Sequence, residues 1–90
     1  MLPSKKETEE MQTEMRELIG LPDDWKVSIK VQPYLFYDIG YEIKESVKSI
    51  NMMIYSATFP TSYLRWRKNV AVEIANKLGY TPSPKTSGDA

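Results

Sequence analysis

The sequence predicts an α+β fold: a three-stranded antiparallel sheet with two helices packed on one face, in the order αβββα. Three observations point there. Apolar residues recur at helical spacing near both ends of the chain, at Met11, Met15, Leu18 and Ile19, and again at Tyr63, Val70, Ile74 and Leu78. Between these stretches the period changes to two. Each helical stretch is closed by a glycine with a proline soon after, Gly20 before Pro22 and Gly79 before Pro82.

The first helix is expected over residues 4–19. Ser4 with Glu7 three residues on forms a capping box, in which each side chain satisfies an unpaired backbone donor. Glu7, Glu9 and Glu10 stand near the positive end of the helix dipole, where they are favoured. Trp25, Val27, Ile29 and Val31 then alternate with Lys26, Ser28, Lys30 and Gln32, which predicts a strand over 25–32 with one wet face. Pro33 interrupts it. Leu35, Tyr37, Ile39, Tyr41 and Ile43 alternate with Phe36, Asp38, Gly40, Glu42 and Lys44 and predict a second strand over 35–44. Pairing these two strands directly sets Val31 opposite Tyr37 and Ile29 opposite Ile39. It also opposes Lys30 to Asp38 and Lys26 to Glu42, two charge pairs worth about 0.2–1 kcal/mol each. A third strand is expected over 49–57. Ile39, Ile43, Val47, Ile50 and Ile54 also fit a helical stripe, but β-branching and the intervening tyrosines favour strands. The last helix, 61–78, carries a broad apolar arc of Tyr63, Leu64, Trp66, Val70, Ala71, Ile74, Ala75 and Leu78. Residues 1–80 thus form a single domain, and the Pro/Ser/Thr/Gly-rich tail, 81–90, is expected to be disordered.

Composition narrows the chemistry. The 90 residues hold twelve Lys+Arg and twelve Asp+Glu, so the formal charge is zero. There is no Cys, which excludes disulfides, thiolate metal sites and thiol nucleophiles. There is no His, which removes the commonest metal ligand and the usual general base near neutral pH. No phosphate-binding glycine motif is present, and no Ser or Thr has a recognisable activating base. No catalytic residue, metal or cofactor is therefore assigned. The apolar runs are too short to span a bilayer. The start, MLPSKKETEE, lacks the apolar stretch of a signal peptide, so a cytoplasmic location is the expectation.

Four features carry what functional signal there is. Arg67 falls inside the apolar arc of the last helix, between Tyr63 and Ala71. Its guanidinium stays charged and must pair or reach water, so the expected partner is Asp38, Glu42 or Glu45, or else an external anion. Arg65, Trp66, Arg67 and Lys68 form a basic-aromatic cluster near a helix start, where cations oppose the dipole. On the outer sheet face, Phe36, Met53 and Tyr55, with Tyr34 near the turn, are aromatic or thioether side chains ringed by charge, as recognition patches are. Residues 1–24 hold three basic against seven acidic side chains, and residues 25–90 hold nine against five, an asymmetry that suits self-association.

The order helix, three strands, helix resembles that of the double-stranded-RNA-binding domain, and Arg67 and Lys68 ahead of Ala71 are similar to the basic start of that family's second helix. The family's consecutive lysines and glycine-rich strand turn are missing here, so no site is carried over. The segment VAVEIANKLGYTPS, residues 70–83, resembles the first half of a helix-turn-helix, with Gly79 serving equally as a plain helix stop.

The expected function is a non-enzymatic protein-binding module, such as a small modulator or inhibitor of a larger complex or a self-associating adaptor. Its contacts would be Phe36, Met53, Tyr55 and Tyr34 on the sheet and Arg65, Arg67 and Lys68 on the helix. The partner would be a protein or a second copy, and not a membrane. The alternative is nucleic-acid binding, with Tyr34, Phe36 and Tyr55 stacking on bases and Lys26, Lys30 and Arg65 contacting phosphates.

Overall fold

Helix α1 spans Lys5–Ile19 and starts at the expected capping box: Glu7 N–H donates to Ser4 Oγ at 3.1 Å, and Ser4 N–H donates to Glu7 Oε1 at 2.8 Å. It ends at Gly20, whose φ of 86° is open to glycine at little cost. A Cβ at Gly20 would stand 2.6 Å from the Thr81 carbonyl oxygen, so the chain leaving the last helix packs on a spot that only glycine leaves free. Strand β1 (Lys26–Gln32), strand β2 (Asp38–Lys44), a single 3-10 turn over Glu45–Val47, strand β3 (Ser49–Tyr55) and helix α2 (Thr61–Leu78) follow. The computed structural model describes residues 2–81, so the expected disordered tail lies outside the described residues save for Thr81.

The sheet is mixed, which corrects the antiparallel expectation. Its strand order is β1-β3-β2, with β1 parallel to β3 and β2 antiparallel to it. The expected pairing of β1 with β2 is therefore absent. Ile54 stands between Val31 and Ile39, and Met53 between Lys30 and Gly40. The physical reason lies in the linking segment. Residues 33–37 run across the end of β3, so Leu35, Phe36 and Tyr37, expected to open the second strand, are not in β2. Lys48, at φ 50°, closes the short return from β2, and its carbonyl accepts from Lys26 N–H at 2.8 Å, extending the parallel ladder by one bond.

All inward side chains share one face. Val27, Ile29, Ile50, Met52 and Ile54 from the sheet meet Met15, Leu18 and Ile19 of α1 and Tyr63, Ala71, Ile74 and Ala75 of α2. Both helices thus cover the same side, and the alternating strand pattern leaves the other side wet. A buried hydrogen bond of 2.7 Å between the Ser56 and Ser62 hydroxyls ties the end of β3 to the start of α2. Two residues expected in the α2 core are exposed, Leu64 at 54% and Trp66 at 44%. The covered stripe runs through Tyr63, Ala71 and Ile74, and Trp66 projects from its flank. The helix-turn-helix resemblance stops at Gly79, which has left-handed backbone and ends α2.

Candidate interaction surfaces

The outer sheet face reads across in four rows: Lys26, Ser49 and Lys44; Ser28, Asn51 and Glu42; Lys30, Met53 and Gly40; Gln32, Tyr55 and Asp38. Every one of these residues is exposed or half-buried. The polar rows lie toward the start of β1, and the apolar content collects at its end. There the linking segment folds back over the last row. The Tyr34 ring meets Tyr55 edge to face with centroids 5.0 Å apart, and tilts against Phe36 at 5.7 Å. Edge-to-face contacts of this kind hold rings at fixed angles. Phe36 is 61% exposed, and Leu35 beside it is fully exposed.

Four of the candidate residues are therefore together: Tyr34, Phe36, Tyr55 and, one row away, Met53. They come from the linking segment and β3, not from two adjacent strands as expected. Leu35 joins them unforeseen. Its place in the alternating pattern pointed inward, and only Pro33 two residues earlier signalled that the alternation begins later.

The basic candidates stand elsewhere. Arg65 is exposed and Lys68 half-buried on α2, in the helical layer on the other side of the sheet. Arg67 is engaged from an unexpected quarter: its Nη1 donates to Glu14 Oε1 of α1 at 3.0 Å, and not to Asp38, Glu42 or Glu45. The sequence held a signal for this, since Glu14 lies beside Met15 and one turn beyond Met11 on the stripe that faces the body. Near this pair the Tyr63 hydroxyl is buried without a hydrogen-bond partner among the described residues, and so is the Tyr37 hydroxyl. Burial pushes the Tyr37 phenol up to about 12, with the Asp38 charge adding to it, and pushes Tyr63 higher still.

A groove of about 440 Å³ separates the N-terminal halves of the two helices. Its apolar wall includes Met11, Phe59 and Leu64, and its rim includes Glu7, Glu10 and Arg67. Among the described residues, no group of three or more His, Cys, Asp or Glu side chains could hold a metal ion. Among the same residues, no helix is long and apolar enough to cross a membrane. Compared with protein-family models, curated proteins and solved structures, the chain matches none.

Proposed function

We propose that this chain is a non-enzymatic protein-binding module that engages a protein partner through the outer sheet face. Tyr34, Phe36, Met53 and Tyr55 are the anchors, with Leu35 beside them. One observation carries the reading: the Tyr34 ring packs against both Phe36 and Tyr55 at the end of an uncovered sheet, beside a fully exposed leucine. Aromatic side chains fixed in place lose little entropy on contact and dominate many interface energies. Arg65 and Lys68 serve only a partner that reaches round to the helical layer. One form of such a module is a small modulator or inhibitor of a larger complex.

The test is a photoreactive phenylalanine analogue in place of Phe36, irradiated in cells that make the chain. The expected result is a discrete adduct with a different protein, lost when Tyr55→Ser is added. Adducts with nucleic acid alone would favour the alternative, in which Lys26 and Lys30 on the same face contact phosphates. An anisotropy titration with single-stranded RNA and DNA would then show affinity falling steeply with salt. No adduct of any kind would remove the proposal.

A further inference from the structure

We infer that strand β2 is a self-pairing edge, through which two copies of this chain join their sheets into one of six strands. This edge borders the aromatic patch, with Asp38 beside Tyr55, and neither reading depends on the other. The first ground is the state of the two sheet edges. On the free side of β1 a backbone donor is taken by α1: the Ile29 N–H donates to Gln12 Oε1 at 3.0 Å. β2 has β3 on one side only, and no backbone or side-chain hydrogen bond among the described residues reaches its other side. Seven residues, Asp38–Lys44, pair with β3 without a bulge or a proline, so the free side is a straight row of unpaired donors and acceptors.

The second ground is burial. The inward residues of β1 and β3 from Val27 to Ile29 and from Ile50 to Ile54 are all 8% exposed or less. Ile39, Tyr41 and Ile43 of β2 pack on the same core and are only partly buried. A further strand along the free edge would cover more of them; Val31, at the end of β1, is likewise partly buried.

The third ground selects the occupant, because β2 is complementary to itself. An antiparallel partner that keeps both apolar faces on the same side must pair residue numbers with an even sum. Centring the pairing on Tyr41 uses all seven residues. It opposes Ile39 to Ile43 and Gly40 to Glu42, and it sets Asp38 against Lys44 of the second copy, twice over. Centring it on Gly40 opposes Asp38 to Glu42 twice, and centring it on Glu42 sets that carboxylate against its own copy. Among the registers that pair five or more of the seven residues, only the Tyr41-centred one is free of like charges. There, Lys44 has its own Glu42 at 3.8 Å and gains Asp38 of the second copy. Gly40 leaves open space where a side chain would stand, which accommodates Glu42 of the second copy. On the helical side, the border of the strand carries both signs, Glu73 and Lys77, so the layers above do not repel.

The experiment measures mass by sedimentation equilibrium of the full chain over a wide concentration range. Wild type is expected to form a dimer. Asp38→Lys alone and Lys44→Asp alone each set like charges opposite one another twice, and each should weaken the dimer about tenfold or more. An equimolar mixture of the two variants places every introduced charge opposite its complement and should recover the dimer as a heterodimer. Both side chains are exposed, so the variants should keep the circular dichroism of wild type. If either variant misfolds, hydrogen exchange of wild type replaces it, with alternate amides of Asp38–Lys44 expected to gain protection as concentration rises. A wild-type monomer throughout, a dimer indifferent to both substitutions, or β2 amides whose exchange ignores concentration would each overturn the inference.

Discussion

The Arg67 guanidinium donates to Glu14 from within an apolar stripe, with only a quarter of its side chain exposed. That position was legible in the sequence and the partner was not, because a helical wheel tells which way a side chain points but not which element lies above it. Removing one member of such a pair costs more than removing both, since the remaining charge stays desolvated. Glu14→Gln should therefore lower stability by about 1–3 kcal/mol in urea titrations, and adding Arg67→Met should recover most of the loss. The buried phenols make a second prediction. Their folded pKa values lie above the ordinary 10.0, so both are neutral below pH 10 in either state and their contribution there is complete. As pH rises above 10 the unfolded chain ionises first, and stability is lost through the range up to about 12 for Tyr37 and beyond it for Tyr63. The thermal midpoint should fall across that range, and Tyr63→Phe should make the fall shallower; an unchanged slope would contradict the assignment.

Among the elements, both helices were readable almost to the residue, because capping and stop signals are local. Ser4, Glu7, Gly20 and Gly79 act on the backbone within a few positions of themselves. β1 was nearly as clear. β2 was misread at its start, where Leu35 and Tyr37 continue a true alternation backwards into a segment that pairs with nothing. Alternation reports which side a residue faces, and an exposed connection with apolar side chains imitates it. The patch of Tyr34, Phe36 and Tyr55 was thus recognised by composition, while the reason it is exposed lay in a connection the pattern concealed. Phe36→Ser should then be nearly silent for folding, within about 0.5 kcal/mol of wild type, because the ring is largely in solvent. A loss of several times that in a denaturant titration would place Phe36 in the core.

For the whole molecule, the fold class and the two-layer arrangement followed from the sequence, and the strand order did not. The register argument took consecutive strands to be neighbours, which is common but not obligatory. A counter-signal was present. β1 and β2 carry charges on their outer faces, at Lys26, Lys30, Asp38, Glu42 and Lys44, as edge strands do, while β3 carries none. The uncharged strand is the central one. Its placement has a consequence for how the molecule assembles itself. β1 and β2 lie ready on either side of a gap that only Ser49–Tyr55 can fill, so a nascent chain halted at Lys48 would own both banks and no bridge. No rung of the sheet can be laid before Ser49–Tyr55 exists, since β1 and β2 each bond to β3 and not to each other.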